Sequence, residues 1–230
     1  DKINYKMNNT FKIHSYNTDV YPFRLLIKNL YKVDKLEKLH LERLDLLPEE
    51  KLKFENEAST KFHKIFYDRL NNNWKEFIDI YENFIKVEIT KLIDEPFVYQ
   101  YLPTYRVQIP NEKAIHKWHF DSDDDHKHPD GEINFCIAIS KMKNSTAIWS
   151  ESLPGKKDFS PMEIDYGEFF NFNGNKCTHG NKINISDNVR ISLDFRILPK
   201  SKYSPKKTRS SITSKKKFII GEYYKACDNY

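Results

Sequence analysis

The distribution of glycine divides this chain into two parts that call for different architectures. All six glycines lie beyond residue 130, and the first 130 residues contain none. Glycine supplies the left-handed and tightly turned positions that link short strands, whereas helix interiors disfavour it. The asymmetry therefore predicts a helical first part followed by a β part. The length of 230 residues suits one domain, or one domain with an appendage, around a sizeable core.

Apolar residues at three- and four-residue steps predict two helices in the first part. One stripe covers residues 49–70 and the other covers residues 73–93. Residues 33–47 form a shorter, leucine-rich candidate. Such stripes could line a cofactor, but packing against a core is their commoner use. We therefore assign residues 1–95 to mainly helical support.

The remainder of the chain is predicted to form short strands separated by turns. Candidate strands cover residues 97–102, 104–109, 115–120, 133–140, 147–151, 168–172 and 189–198. Many short strands without helices between them favour an antiparallel barrel or sandwich. The expected fold class is therefore α+β, with a β core over residues 96–198 and the helices packed on one sheet.

The net charge of +5 is concentrated at the C-terminal end. Residues 199–230 contain nine Lys or Arg and two acidic residues, which gives +7, so the other 198 residues carry −2. A basic tail could bind a nucleic acid or a membrane surface, but lysines among Ser and Thr are also typical of a solvated loop. We predict one domain over residues 1–198, then a basic loop and a docking segment over residues 199–230.

Composition argues against two further classes of protein. No apolar run approaches the ~20 residues of a membrane-spanning helix. Cys136, Cys177 and Cys227 are odd in number and far apart, which argues against a disulfide scaffold and favours a reducing, cytoplasmic setting. The sequence carries no signal of an oligomeric state.

Three residues form a candidate metal site. His119 and Asp121 are two residues apart on a predicted strand, so their side chains share one face. His179 follows 60 residues later, just after another predicted strand. Two imidazoles and one carboxylate on one side of an ion leave the opposite positions open, which is the ligand set of non-heme Fe(II) oxygenases.

Neighbouring residues offer alternatives to this set. His128 and Asp130 repeat the His-x-Asp spacing, but they lie in a Pro-Asp-Gly turn that would fix a metal poorly. His116 would face away from His119 on an extended strand, and we interpret it as structural or at the rim. The acidic run 123–125 lacks the glycine and the distal glutamate of a Ca²⁺ loop, and we interpret it as a solvated loop at the site mouth.

Within the strand predicted over residues 189–198, residues 189–197 alternate strictly between apolar and polar side chains. Its even positions are Arg190, Ser192, Asp194 and Arg196. The apolar face is expected to pack on the helices, and the polar face to point toward a barrel interior or solvent. Arg190 offers a planar fork that matches a carboxylate, and Ser192 adds a hydroxyl on the same face. The alternative is an exposed face with an ion pair of Asp194 to Arg190 or Arg196.

The motif order His-x-Asp, His and then Arg-x-Ser resembles the Fe(II)/2-oxoglutarate-dependent dioxygenases. Residues 144–155 (NSTAIWSESLPG) are similar to the stretch of the phytanoyl-CoA-dioxygenase-like branch in which a strand leads into a Pro-Gly turn. Three stretches, 119–135, 149–155 and 167–199, most resemble the streptomycin-biosynthesis-type hydroxylases. The resemblance covers residues 99–199, under half of the chain.

The resemblance implies a double-stranded β-helix, which is a jelly-roll or cupin-like barrel with helices on one sheet. It implies Fe(II) as the metal, 2-oxoglutarate as co-substrate and O₂ as oxidant. The implied Fe(II) ligands are His119, Asp121 and His179.

The same resemblance assigns the 2-oxoglutarate contacts. Arg190, helped by Ser192, would hold the distal carboxylate, and Asn134 and Asn181 are candidates for further contacts. Related halogenases have a small residue in the place of Asp121, so the resemblance implies hydroxylation or desaturation here.

The implied substrate is a small polar metabolite, such as a sugar, a nucleotide-linked sugar or an aminocyclitol, in glycan or secondary-metabolite biosynthesis. Four residues are candidate substrate contacts and are equally explicable as structural: Arg106, Gln108, Trp118 and Trp149.

Two alternative functions remain open. Residues 190–196 resemble the Arg-x-Asn-x-Thr-Phe-Arg strand of nucleic-acid dealkylating dioxygenases, but they differ at Ser192 and Asp194, and the slightly acidic body does not favour a nucleic-acid partner. A cupin-like module that binds a metal or sugar without redox chemistry would explain the metal set but leave Arg190 without a task. We expect an enzyme with a small-molecule substrate.

Overall fold

Helices lie mainly in the first part of the chain and strands in the second, as the glycine distribution predicts. The structure, a computed structural model, describes residues 11–51, 59–114, 117–205, 209–211 and 215–227. The helices are α1 (Phe23–Tyr31), α2 (Leu39–Glu42), α3 (Lys61–Asn71) and α4 (Lys75–Phe84). The strands are β1 (Phe11–Ser15), β2 (Phe97–Gln100), β3 (Thr104–Gln108), β4 (Ile133–Ala138), β5 (Ile148–Ser150), β6 (Ser160–Met162), β7 (Glu168–Phe172), β8 (His179–Asn181), β9 (Arg190–Pro199) and β10 (Tyr224–Ala226).

The longer helices begin and end where local chemistry favours it. α1 ends at Lys32, whose backbone is left-handed with φ 54°. α3 begins after Thr60, whose hydroxyl accepts a hydrogen bond from the backbone N–H of His63. α4 continues into a π turn over Ile85–Ile89 and a 3₁₀ turn over Thr90–Leu92. Over the described ranges, no helix is both long and apolar enough to cross a lipid bilayer.

The described strands form two antiparallel sheets. The larger sheet has the order β1-β7-β4-β9-β2-β10. β3 and β2 both pair with the same edge of β9, β3 along its first half and β2 along its last residues. The smaller sheet has the order β6-β5-β8. The predicted combination of helices with antiparallel sheet is therefore confirmed.

The two faces of the larger sheet have different partners, because side chains alternate along a strand. Odd-numbered residues of β4 and β9 belong to one large core with the helices. Phe135 and Phe195 stack there with ring centroids 5.0 Å apart, and Phe84 meets Phe195 edge-on. The apolar face of β9 thus packs on the helices, as its alternation predicts.

The opposite face of the larger sheet meets the smaller sheet. A second apolar cluster occupies part of this space and consists of Cys136, Ala138, Met142, Ile148, Met162, Ile164, Phe170 and Phe172. Four polar residues are buried beside it, namely His119, Asp121, Asn134 and His179. The space between the sheets therefore holds both apolar and polar side chains.

The C-terminal segment packs on the larger sheet. β10 pairs with β2, and Phe218, Tyr223 and Tyr224 form an apolar cluster with Val98 and Leu198. A segment that docks on the body would make such contacts. The predicted domain boundary at residue 198 stays a prediction. None of the three cysteines forms a disulfide, and all three are buried.

The first part departs from prediction in places. α1 was not indicated by the stripes, and residues 33–47 form short helical turns instead of one helix. The Glu42 carboxylate accepts hydrogen bonds from the backbone N–H groups of Asp34 and Lys35, which bends this stretch back on itself. The helix predicted over 49–70 begins only at Lys61, and residues 52–58 lie outside the described residues.

The strand predictions hold for six of the seven candidates, with ends shifted by a few residues. The exception is 115–120. Residues 115 and 116 lie outside the described part, and His119 contributes only an isolated bridge to His179. β1, β6, β8 and β10 were not predicted, and all but β1 are only three residues long.

Candidate metal centre

A β-bridge brings the two candidate histidine ligands together. The backbone N–H of His179 donates to the carbonyl of His119 at 2.8 Å, and the reverse hydrogen bond is 3.1 Å. β8 places His179 opposite Ser150 of β5 in the smaller sheet. Because paired residues share a sheet face, both imidazoles enter the space between the sheets, with ring centroids 4.7 Å apart.

Asp121 completes the group. Its backbone N–H donates to the carbonyl of Gly174 at 2.9 Å, which fixes the chain after His119. Its Oδ1 lies 3.5 Å from Nε2 of His119 and 3.8 Å from Nε2 of His179. The candidate ligand atoms all lie within 4.8 Å of one another. The structure thus brings together the three residues that the sequence singled out.

The far nitrogen of each imidazole is held by a backbone carbonyl. Nδ1 of His119 lies 3.0 Å from the carbonyl of Lys117, and Nδ1 of His179 lies 3.0 Å from that of Cys177. A carbonyl can only accept, so each Nδ1 carries the proton and each Nε2 presents its lone pair to Asp121 Oδ1. This arrangement prepares both rings as metal ligands.

The second carboxylate oxygen of Asp121 is already engaged. Oδ2 accepts a hydrogen bond from Nδ2 of Asn134 at 2.6 Å and another from Nε of Arg196 at 2.5 Å. Burial by itself would raise the pKa of Asp121, but the Arg196 guanidinium, with smaller help from His119, holds that pKa well below its usual range. The carboxyl is therefore ionised and ready to bind a cation.

His179 is neutral at physiological pH. Burial, reinforced by the neighbouring His119, lowers the pKa of His179 to about 4. A neutral imidazole keeps its lone pair available, so His179 needs to lose no proton before it binds a metal.

Arg190 is the largest fully buried side chain, at 1% exposure. Its Nη2 donates to the Ser192 hydroxyl at 2.9 Å, while its Nε and Nη1 are buried without a hydrogen-bond partner. A buried guanidinium with two free donors is costly unless an anion completes it. The exposed ion-pair alternative therefore does not describe this residue.

The other polar residues of β9 form a chain of contacts. Ser192 donates its proton to Asp194 Oδ1 at 3.0 Å, and Nε of Arg106 contacts Asp194 Oδ2 at 3.3 Å. Arg106 and Asp194 line, with both histidines, a small recess of about 20 Å³ beside the metal group. Ser192 thus orients Arg190 by accepting from it, and its own proton is directed to Asp194.

The predicted contacts Asn134, Asn181 and Gln108 are all buried. Asn134 lies at the metal group through its bond to Asp121. Asn181 donates to the carbonyl of Ala147 at 3.2 Å, and its Oδ1 has no partner. Gln108 donates to the carbonyls of Glu112 and Lys182, so its amide group tethers two loops. Their roles toward a ligand stay predictions.

The predicted contacts Trp118 and Trp149 lie on the outer side of the smaller sheet. A Cβ at Gly180 would meet the Trp118 ring at 2.8 Å, and this direction is opposite to that of His179 on the same strand. Trp149 donates to the carbonyl of Asn144, and the Lys182 ammonium lies 3.3 Å from its ring centroid. Neither ring lines the recess at the metal group.

The alternative pair His128 and Asp130 is separated in the structure. His128 Nδ1 bonds Glu132 at 2.7 Å, whereas Asp130 pairs with Lys176. Asp121, His128 and Glu132 also lie close enough to share an ion. Both oxygens of Glu132 are engaged, however, since Tyr224 donates to the other one. His116 lies outside the described residues.

Sequence reasoning missed two neighbours of the site. His126 stacks on His119 with ring centroids 4.0 Å apart, and its Nδ1 bonds Asp123 at 2.8 Å. It directly follows the acidic run 123–125 that we interpreted as a solvated loop. Arg196 was noticed as a polar residue of the strand, but its bond to Asp121 spans 75 residues and leaves no local signal.

The residues present fit a divalent transition metal. Asp121 Oδ1 is buried without a hydrogen-bond partner and faces two imidazole lone pairs. Two imidazoles and one carboxylate form the 2-His-1-carboxylate donor set of non-heme iron sites.

A curated protein shares much of this chain. The streptomycin biosynthesis protein StrG of Streptomyces griseus is 31% identical over 170 residues, which cover 74% of this chain and 78% of StrG. This chain belongs to the StrG family. No family model matches it. The alignment with StrG, at 170 residues, is longer than the stretch 99–199 on which the motif resemblance rests. The expected relationship to streptomycin-biosynthesis-type proteins is therefore confirmed.

Solved structures show more distant likeness to this StrG relative. AviO1 from Streptomyces viridochromogenes is 11% identical with a TM-score of 0.48, and covers 86% of this chain and 93% of its own. HygX from Streptomyces hygroscopicus, solved with nickel and 2-oxoglutarate, is 10% identical with a TM-score of 0.44, and covers 84% of both chains.

Proposed function

We propose that this StrG relative is a Fe(II)- and 2-oxoglutarate-dependent oxygenase that hydroxylates an unactivated C–H bond of a small polar metabolite. The proposal rests on Arg190, a buried guanidinium with two unpartnered donors on the strand whose Arg196 contacts Asp121 of the metal group. We further propose a double-stranded β-helix of the phytanoyl-CoA-dioxygenase-like branch, because the site lies between two facing antiparallel sheets.

A bound metal alone would leave the two donors of Arg190 unpartnered, so their chemistry indicates a second ligand. A guanidinium offers a carboxylate two forks, Nε with Nη2 and Nη1 with Nη2, and each fork of Arg190 contains one unpartnered nitrogen. A dicarboxylate with one end on the metal and the other on Arg190 would satisfy both groups. A module that only binds a metal or a sugar would leave a buried charge unpaired, at a cost of several kcal/mol, ~3–5 by analogy with broken buried ion pairs.

The side chains have separable tasks in this proposal. His119, Asp121 and His179 would hold Fe(II) on one side and leave its other positions open. Arg190 would bind the distal carboxylate of 2-oxoglutarate, and Ser192 orients the guanidinium. Bound iron and co-substrate supply the oxidation, in which O₂ is consumed, the oxo acid becomes succinate and CO₂, and a C–H bond becomes an alcohol.

The substrate class is proposed from the family and from the walls of the recess. StrG is a protein of streptomycin biosynthesis, which favours a sugar, nucleotide-linked sugar or aminocyclitol. Arg106, Asn134 and Asp194 give the recess both donors and acceptors, as a polyhydroxylated substrate requires. The three buried cysteines, none of which forms a disulfide, support the proposed reducing, cytoplasmic setting.

The test is anaerobic titration of Fe(II)-loaded protein with 2-oxoglutarate, followed by admission of O₂. We expect a weak visible charge-transfer band as the oxo acid chelates iron, and then formation of succinate with a panel of sugars and aminocyclitols. Arg190→Ala should raise the 2-oxoglutarate concentration needed for the band far more than it weakens iron binding.

Arg43→Ala is the matched control, because Arg43 bonds Asp45 and the carbonyl of Tyr31 on the helical side. A wild-type protein that binds iron without a charge-transfer band or succinate would be a non-redox module. Equal losses of iron and 2-oxoglutarate affinity in Arg190→Ala would contradict the role given to Arg190.

A further inference from the structure

The two oxygens of Asp121 have different surroundings. Oδ1 faces the Nε2 atoms of His119 and His179 and has no hydrogen-bond partner. Oδ2 accepts from Asn134 Nδ2 at 2.6 Å and from Arg196 Nε at 2.5 Å. A carboxylate oxygen has two lone pairs in its plane, so these two donors occupy Oδ2.

The two donors are built into the larger sheet as a cross-strand pair. Asn134 of β4 and Arg196 of β9 lie directly opposite each other in the register. Side chains of such a pair stand next to each other on one face of the sheet. The amide group of Asn134 also packs closely against Gly174, since a Cβ at Gly174 would come within 2.8 Å of it.

Arg196 is held on its outer side as well. Its Nη1 lies 3.4 Å from Gln100 Oε1 and 3.5 Å from the Tyr223 hydroxyl, and Tyr223 donates to the same Gln100 oxygen at 2.9 Å. Gln100 belongs to β2 and Tyr223 to the C-terminal segment. The guanidinium is thus fixed by two further elements and cannot easily turn away from Asp121.

We propose that Arg196 and Asn134 are positioning residues that restrict Asp121 to one ligand oxygen. The inference deepens the proposed function and rests on its metal site. A carboxylate that used both oxygens would fill a fourth position of the metal. By occupying Oδ2, Arg196 and Asn134 would keep that position free for the co-substrate or O₂.

The test counts water molecules on bound Mn(II), which speeds the relaxation of water protons that exchange through its coordination shell. A site with one carboxylate oxygen leaves about three of six positions to water, and a second oxygen leaves about two. We expect the relaxivity of the Mn(II)-loaded protein to fall by about a third in Asn134→Ala and in Arg196→Met. With saturating 2-oxoglutarate, which takes about two positions, the wild type should keep one water and the variants none.

Arg43→Met, on the helical side, should keep the wild-type relaxivity, and Arg196→Lys should recover part of it because the ammonium can still donate to Oδ2. Unchanged relaxivity in both Asn134→Ala and Arg196→Met overturns the inference. Loss of Mn(II) binding by folded Asn134→Ala overturns it too, since the freed oxygen should remain a ligand. If Arg196→Met fails to fold, Asn134→Ala decides alone.

The same experiment separates this inference from the proposed function. A wild-type protein that binds no Mn(II) would contradict the proposed metal centre. A wild-type protein that binds Mn(II) but loses no water to 2-oxoglutarate would contradict the co-substrate assignment. In that second case, the Mn(II)-only comparison still judges Arg196 and Asn134.

Discussion

The Asp121–Arg196 pair makes the metal-free protein sensitive to a single substitution. Asp121 is fully buried, and Arg196 is the cation that holds its pKa low. Removal of one partner of a buried ion pair typically costs about 3–5 kcal/mol, because a charge is left unpaired. We expect Arg196→Met to lower the free energy of unfolding by about this amount in urea titrations without metal.

Added Ni(II) should recover part of that loss, because the ion binds the folded protein and supplies a new partner for Asp121. Arg43→Met, which breaks a partly exposed pair with Asp45, should cost less than about 1 kcal/mol. Similar losses in the two variants would show that the buried pair has no special weight.

His63 gives the protein a specific sensitivity to acid. Burial, with a smaller contribution from Arg106, lowers the pKa of His63 from 6.5 to about 3 in the folded state. The unfolded chain therefore takes up a proton near pH 6.5 that the folded chain refuses. Stability from this residue is fully present above pH 6.5 and is lost progressively as pH falls toward 3.

His63→Gln should remove this part of the acid sensitivity, because Gln has no proton to gain and can still bond the Thr60 hydroxyl. Between pH 7 and pH 5, we expect the wild type to lose about 2 kcal/mol more of its free energy of unfolding than the variant. Urea titrations at the two pH values measure the difference. Parallel losses in both proteins would argue that His63 is not buried as a neutral ring.

The sequence predicted the site residues unequally, for physical reasons. His119, Asp121 and His179 were identified because metal ligands need particular side chains on a shared face. Arg196 was not linked to Asp121, because a contact between a loop and a strand depends on the register of β9 with β4. The stacking of His126 on His119 depends on the fold of residues 121–131, for which the sequence pattern gave only a turn.

At the scale of elements, β8 positions a metal ligand although it is only three residues long. Its central residue, Gly180, lies against the Trp118 ring, and a Cβ there would meet that ring at 2.8 Å. We expect Gly180→Ala to destabilise the protein by about 1–3 kcal/mol, since overpacking displaces the ring or the strand. The displaced strand should also weaken Mn(II) binding through His179.

A second substitution tests this explanation. In Gly180→Ala/Trp118→Leu, the smaller side chain makes room for the Cβ, so the double variant should bind Mn(II) more tightly than Gly180→Ala alone. Thermal unfolding and Mn(II) titration of the four proteins complete a double-mutant cycle. Additive effects of the two substitutions would show that the ring and the strand do not compete for space.

Some elements could be predicted from the sequence more accurately than others. β9 was predicted to within one residue at each end, because one face packs on helices and the other carries polar side chains over residues 190–196, which imposes alternation there. β8 is too short for alternation to appear, and it exists because β5 pairs with it. Residues 33–47 have helical composition, but hydrogen bonds from two backbone N–H groups to Glu42 bend them into short turns.

At the scale of the whole molecule, regions distant in sequence cover the larger sheet on one face and build the metal group on the other. The helices pack on the outer face of the larger sheet and leave its inner face for polar side chains. The C-terminal segment, which the charge pattern marked only as a basic tail, reaches Arg196 through Tyr223 and Glu132 through Tyr224. The positive charge of residues 199–230 is therefore poor evidence about the binding partner of this protein. The aromatic residues next to the lysines help to build the site.

Because the site joins both sheets, its ligands should stabilise the entire fold. A ligand present at 100 times its dissociation constant adds about 2.7 kcal/mol to the free energy of unfolding. For a chain of this size, that corresponds to a rise of about 5–10 °C in Tm. We expect Ni(II) alone to produce such a rise, and 2-oxoglutarate to add a second one only when Ni(II) is present.

Arg190→Met should keep the rise from Ni(II) and lose most of the rise from 2-oxoglutarate, because its distal carboxylate no longer meets a guanidinium. 2-Oxobutyrate, which keeps the chelating end but lacks that carboxylate, should shift the wild type less than 2-oxoglutarate does. In Arg190→Met, the two oxo acids should give the same shift. A larger shift with 2-oxoglutarate in this variant would mean that a cation other than Arg190, with Arg106 the nearest candidate on the same face, binds the distal carboxylate.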